Sequence, residues 1–583
     1  MKAAPLSRLL FCLVPIVALA TSAAGRGAQT ASADAAYDEF ASGYFANVLH
    51  DNPSQATQTG VHAYDDQLDD LSEARFTAQL QRDSDTLTRL QDIDENTLSP
   101  DVRIDRQTLL WAVQDDLLIN GELQNWRHNP DLYTQTASSA VYNVMAGDYA
   151  PLASRMRFVI ARERQMPRLF AQAEKNLTDV DAASAEVAST DTDGAIAFFT
   201  NDVPLAFAGV SSPDLLKEFH DANDGAVKAV TGYAEWIKGG PLAHPAGTFA
   251  IGRIAYQKRL LFEDGIDMVV EDYLALGERA LSQTQEQFRA TAWRIDTRRS
   301  PQSVFASLSA KHPTPEGLIA AAQADVANLR AFVTARRIIT LPADADITAV
   351  ETPSFQRSQV FAAFAGPGPL EKVATKAYYY VTPPSPTASP DERDQILGFL
   401  NDYTRPIISA HEVMPGHFVN AAIDRHLKLS LTRKLLPSVE FSEGWAHYDE
   451  QMIVDEGWGG GDPRVRLAQL GAALVREGRF LVGVREHTQH MSVDQATAFL
   501  VSNAYMSPSA ARREALRGTQ DPMYGYYTLG KLMILKLRAD YKRKLGPAYT
   551  LEGFHDALLA HGDPPIPLLR PLLLGKADDG KTL

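Results

Sequence analysis

Cysteine is all but absent from this chain. Cys12 is the only one among 583 residues, and it lies in a stretch that reads as a removable leader. A mature chain without thiols has no disulfide, no thiolate metal site and no cysteine nucleophile. Any metal site must then be built from His, Asp and Glu. Positive charge is also in deficit: 56 Lys and Arg against 72 Asp and Glu give a net charge of −16. That balance argues against nucleic acid or an anionic membrane surface as partner. Long apolar runs are missing too. The run from Leu9 to Ala20 is short of the roughly 20 residues a membrane span needs. It follows a basic lead of Lys2 and Arg8 and precedes small residues, which is the order of a secretory signal.

The expectation is therefore a signal peptide at residues 1–20, its end open as far as about 33, with removal of Lys2 and Arg8 taking the net charge to −18. The mature chain is expected to be periplasmic or secreted, with no stable membrane insertion after cleavage. Phe11 stands before Cys12 where a lipid-attachment motif wants a small residue, so a lipid anchor is not expected.

What is present is an ordinary globular composition, 45% hydrophobic and 22% charged, long enough for a large core. Apolar residues at three- and four-residue spacing predict long amphipathic helices at 102–119, 154–177 and 266–295. Breaks are expected at 181–195, 236–247 and 382–394, the last for its prolines. "AYYYVT" (377–382) is rich in strand formers and reads either as an edge strand along which a peptide could lie or as a buried hairpin strand. No fixed-period repeat supports a solenoid. The expected architecture is mainly α, one helical unit over 34–583 with a small β element and its metal motifs at 411–450.

"HEVMPGHF" (411–418) resembles H-E-x-x-H with the second histidine displaced. Residues six apart on an ideal helix point about 240° from one another, so a straight helix separates His411 from His417. Pro415 cannot bond back to the His411 carbonyl and Gly416 relaxes the backbone, so a bulge is expected to swing His417 back. Zinc wants a third protein ligand and an open position. "FSEGWAHYDEQM" (441–452) offers Glu443 and Glu450 near one helix face, with His447 between them. Glu412, beside His411, is then free to accept the proton of an attacking water.

These two motifs, followed by "DPMYGYYTLGKLMILKLR" (521–538), resemble the bacterial family catalogued as domain of unknown function 885, with H-E-x-x-P-G-H and E-G-W-A-x-Y-x-E in this order. The resemblance implies a large helical, two-lobed cleft fold similar to thimet oligopeptidase and angiotensin-converting enzyme, and zinc peptidase chemistry. It puts His411, His417 and Glu443 on Zn2+ and Glu412 as general base. Many members have a further histidine where this chain has Phe418. His487 matches a histidine of the family pattern, implying contact with substrate or oxyanion. Tyr527 aligns best with the family's donor tyrosine, with Tyr526 as alternate. Arg517 is a candidate for a substrate carboxylate.

Glu450 reads as a partner that orients a histidine, Trp445 and Tyr448 as packing residues, and His490 as surface. The expected function is hydrolysis of oligopeptides or short peptides by an exported zinc peptidase. The alternative is an inactive peptide-binding or scaffold protein that retains the fold; intact Glu412 favours the enzyme. A di-iron bundle would need two Glu-x-x-His helices, and the chain offers one such pattern, Glu552 to His555.

Overall fold

The computed structural model describes residues 17–353, 357, 361–385 and 387–583, with side chains from residue 30 onward. The expected signal peptide thus lies mostly outside the described residues; of its end, only the backbone of a helix beginning at Val17 and reaching Asp51 is described. Among the described residues no helix is long and apolar enough to cross a membrane.

The molecule is mainly helical. Helices form where caps and apolar stripes agree. The helix Pro213–Gly239 opens with the Ser212 side chain accepting from Leu215 N and a proline in its first turn, then buries Leu215, Phe219, Ala226, Val230, Tyr233 and Ile237 along one stripe. That stripe belongs to an apolar core confined to residues 68–237. A second, larger core is drawn mainly from residues 256–574. It includes Leu329, Leu397 and Ile407, so its packing runs straight across the Pro-rich segment at 382–394.

Three expectations of local structure change. The helix expected over 154–177 is two, Leu152–Glu163 and Met166–Asn176. Pro167 has no N–H to return to the Glu163 carbonyl, and the helix stops there. The break expected at 181–195 is instead the helix Ala182–Ala197, started by Asp181, whose carboxylate accepts from Ala183 N and Ser184 N. Its small residues Ala183, Ala185 and Ala188 are buried, so close approach to its neighbours replaces the large apolar stripe that the sequence lacks. The Pro-rich break itself ends as a helix, because Pro390 occupies the first turn of Pro390–Phe399 behind the Ser389 cap.

Among the described residues the β element is one three-stranded sheet ordered β1-β3-β2, with β1 Thr348–Glu351, β2 Ala362–Ala365 and β3 Tyr378–Val381. β3 pairs parallel with β1 and antiparallel with β2. The "AYYYVT" strand is therefore central, and the edge near the metal motifs is β2. Tyr379 is fully buried and its hydroxyl lies 3.1 Å from Ser409 Oγ, which ties the sheet to the helix that carries His411.

Candidate metal centre

The displaced histidine is brought back by a complete break of the helix, where the spacing predicted a bulge. One helix, Arg405–Glu412, ends just after His411, and a new one, His417–His426, begins at the second histidine. Between them Val413 N and Met414 N both return to the Ser409 carbonyl, and Gly416 N bonds to the Ala410 carbonyl at 3.0 Å. A Cβ on Gly416 would collide with the His411 carbonyl oxygen and lie 2.5 Å from that of Ala410. Glycine is required here for close approach. Trp445, fully buried, donates from Nε1 to the Pro415 carbonyl at 3.1 Å and pins the turn.

Trp445 and Glu443 sit on the helix Val439–Asp455, which crosses the helix Tyr526–Leu545. The crossing is tight because two glycines meet. A Cβ on Gly444 would lie 2.5 Å from Gly530 Cα, and one on Gly530 would collide with the Glu440 carbonyl. The tyrosine-rich first turn of the second helix is thereby held beside the Glu443 helix.

His411, His417 and Glu443 each offer a ligand atom, all within 4.8 Å of one another. Glu443 Oε2 is 3.4 Å from His411 Nε2 and 3.5 Å from His417 Nε2, and the two rings are perpendicular, 4.9 Å apart. That oxygen is buried without a hydrogen-bond partner, an arrangement that is costly unless something cationic is shared. A tetrahedral zinc with ligands at about 2.1 Å has ligand atoms about 3.4 Å apart, so the two separations between Glu443 and the histidines fit the ion. Burial opposes ionisation of Glu443, but the two histidines outweigh it and hold the carboxylate well below its usual range. Burial would likewise depress His411, yet the Glu443 carboxylate 3.4 Å away and the hydrogen bond to Glu450 raise it to about 9. The pocket is built for a positive charge, and in a metal-free chain a proton supplies it.

Glu450 does what was expected of it. His411 Nδ1 donates to its Oε1 at 2.8 Å, which leaves the Nε2 lone pair turned to the cluster. Arg476 holds the same Oε1 at 2.8 Å, and His447 Nδ1 donates to Oε2 at 3.2 Å. Burial opposes its charge, but Arg476 and His447 outweigh it, so Glu450 stays ionised. His447, buried and pushed down to about 3 chiefly by burial, is thus a partner of Glu450 and not a member of the cluster. On the other histidine, Ser442 Oγ lies 3.4 Å from His417 Nδ1.

Glu412 lies outside the three-residue group. It is half-buried, and its Oε2 accepts the N–H of Phe364 on β2 at 2.9 Å. Phe418 is buried against Phe364, ring centroids 5.9 Å apart, and serves as packing. Tyr526 donates to Asp521 Oδ2 at 3.1 Å, and burial, with the charges of Asp521 and Glu443 among the further causes, raises its hydroxyl. The Tyr527 ring lies tilted against it, centroids 4.6 Å apart, under the guanidinium groups of Arg476 and Arg479.

His487 is not brought into this cluster. It is buried; Nε2 lies 2.9 Å from the Gly518 carbonyl and Nδ1 accepts from Ile251 N at 3.4 Å. Burial lowers it to about 4, so it is a neutral tie between a loop and the helix Pro508–Gln520. Arg517 on that helix is exposed, stacked on Tyr524 at 4.8 Å with Nη2 3.5 Å from the Tyr526 hydroxyl. His555, of the single Glu-x-x-His pattern, is fully buried between the Ile338 carbonyl and the Tyr448 hydroxyl and is structural. Sequence reasoning missed the Phe364 N–H on Glu412 and the Arg476 contact with Glu450, because neither residue type nor spacing signals a backbone donor or a partner on a distant helix.

This helical build with its two-histidine, one-glutamate cluster defines a class of large α-helical proteins with a candidate metal site. The chain belongs to the family described as "Bacterial protein of unknown function (DUF885)", whose profile matches residues 53–573. Among solved structures it is similar to a candidate lipoprotein of unknown function from Shewanella oneidensis, at 22% identity and a TM-score of 0.78, over 92% of this chain and 99% of that one. It is also similar to a candidate lipoprotein from Colwellia psychrerythraea, at 15% identity and a TM-score of 0.76, over 94% and 99%. These likenesses concern the fold. Among curated proteins nothing matches.

Proposed function

We propose that this chain is an exported zinc-dependent peptidase acting on oligopeptides. The observation that carries the reading is Glu443 Oε2, buried, without a hydrogen-bond partner and facing two histidine Nε2 atoms. His411, His417 and Glu443 would hold the ion. When bound, zinc lowers the pKa of a coordinated water and polarises a carbonyl. Everything else falls to the chain. Glu412 is anchored through Oε2 to β2, which leaves Oε1 to accept a proton from the attacking water and return it to the leaving amine. Tyr526, whose hydroxyl lies in the field of Glu443, would donate to the developing oxyanion by giving up its bond to Asp521, with Tyr527 as the alternate donor. β2, as the edge strand beside Glu412, takes over the peptide-aligning role that the sequence suggested for the 377–382 strand.

Both solved neighbours are described as candidate lipoproteins. With the N-terminal pattern, this supports export; Phe11 ahead of Cys12 supports release by cleavage over lipid attachment.

The test is mass spectrometry of a mixed peptide library incubated with purified protein, with and without chelator. Cleavage that chelator abolishes and added zinc restores is expected; intact peptides in both arms would favour the inactive binding protein. One variant follows from Glu450. Glu450→Gln keeps an acceptor for His411 Nδ1 but removes the charge that makes the imidazole a stronger ligand. Zinc affinity is expected to fall about 10- to 100-fold, as measured by competition with a chromogenic chelator, and the unfolding temperature to fall with it, because Arg476 loses its buried charged partner.

A further inference from the structure

A cavity of about 1240 Å³ opens between the N-terminal helices and the segments at 435–439 and 526. It exceeds the roughly 300–1,000 Å³ that suits a single drug-sized ligand, so it has room for several residues of an extended chain. Tyr526 forms part of its wall, and the Tyr526 hydroxyl lies in the field of the candidate ligand Glu443.

Its lining is strongly one-sided in charge, nine Asp and Glu against three arginines, and the arginines are already engaged. Arg82 pairs with Asp51, Arg75 donates to Asn52 Oδ1 at 2.8 Å, and Arg89 lies over the Phe40 ring at 4.4 Å. Asp83 is left over: 4% exposed, with its Oδ2 lacking any partner. Asp264, 3% exposed, also has an unpartnered Oδ2. Asp116 lies within the electrostatic reach of Asp83, and both act on the hydroxyl of Tyr44. Burial pushes Asp83 up to about 6, and burial together with the charge of Asp83 pushes Asp116 up to about 7. Arg82 and Arg75 offset part of the charge on Asp83, and Arg75 part of that on Asp116, but burial outweighs them. Buried carboxylates compensated only in part are costly, and a cation from outside would relieve them.

A small inorganic ion does not answer this need. Among the described residues, three convergent ligand atoms occur only at His411, His417 and Glu443. Carboxylates spread along a long wall that also carries Phe40, Tyr44 and Trp126 suit an extended organic cation, whose guanidinium or ammonium pairs with carboxylate while its stem and plane lie on aromatic faces.

We propose that this cavity is the substrate chamber of the site and that Asp83 and Asp116 receive an arginine or lysine side chain of a bound oligopeptide. The inference rests on the peptidase reading for the kind of ligand, but it concerns binding and is tested without turnover.

The full-length Glu412→Gln protein is titrated by fluorescence anisotropy with a labelled heptapeptide that carries one arginine, and with the same peptide carrying citrulline, its uncharged isostere. Charge-assisted hydrogen bonds predict about 10- to 100-fold tighter binding of the arginine peptide. The preference should weaken as salt rises and should fall to parity in Asp83→Asn/Asp116→Asn. Should the double variant unfold, the half-buried Asp116→Asn alone is measured, with a partial loss of preference expected. Equal affinity for the two peptides, binding of neither, or a full preference surviving in folded Asn variants would overturn the proposal. A clear preference in a wild-type protein that cleaves no peptide would instead sink the peptidase reading and leave the chamber standing.

Discussion

Glu412→Gln should keep its fold and its zinc and lose peptide cleavage by about 10²- to 10⁴-fold, the usual contribution of a positioned acid–base group. The substitution is conservative where the structure needs it to be. A glutamine oxygen can still accept the Phe364 N–H that now binds Glu412 Oε2, so β2 stays in place. Nor does the change remove a ligand, since the three-residue cluster forms without Glu412. What disappears is the second carboxylate oxygen as a proton acceptor. Steady-state rates on any peptide identified in the library experiment, read beside metal content, check this. An undiminished rate would mean that another group is the base or that a contaminant does the cutting.

Gly416→Ala should be far more damaging than a glycine-to-alanine change usually is. The new methyl group would overlap the His411 carbonyl oxygen and crowd that of Ala410. These are backbone atoms of the ligand-bearing helix and cannot rotate away. Relief requires the turn at 413–416 to open, which breaks the Gly416 N to Ala410 bond and disturbs the Trp445 contact with Pro415. Overpacking typically costs about 1–3 kcal/mol and occasionally more; a backbone collision belongs at or above the top of that range. The expected result is a clear drop in unfolding temperature together with loss of stoichiometric zinc. Wild-type stability and metal content in Gly416→Ala would mean that the turn is not shaped as described.

How far the sequence disclosed this site depended on the range of the interactions involved. His411, Glu412 and His417 were readable because Pro415 and Gly416 announce a departure from the helix within the same seven residues, although a bulge and a clean break leave the same trace. Glu443 and Glu450 were readable from spacing on one helix, and Glu450 indeed holds His411 Nδ1. The helix Ala182–Ala197 was not, because it packs by small residues and carries no apolar stripe. His487 carried a family likeness, but two backbone groups more than 30 residues away absorb both of its nitrogens. The acidic cavity was hidden for the same reason. Asp83, Asp116 and Asp264 lie in separate stretches of ordinary surface-like composition, and only tertiary packing brings them to one wall.

The measurement that bears most directly on the metal centre is native mass spectrometry of the purified chain, stripped with chelator and titrated with zinc, beside His417→Ala. The wild-type chain should gain the mass of one zinc ion per polypeptide and hold it through buffer exchange, while His417→Ala, left with two of the three ligands, should return to its metal-free mass. A wild-type chain that stays metal-free, or a His417→Ala chain that retains its zinc as tightly as wild type, would contradict the assignment of His411, His417 and Glu443 as the metal site.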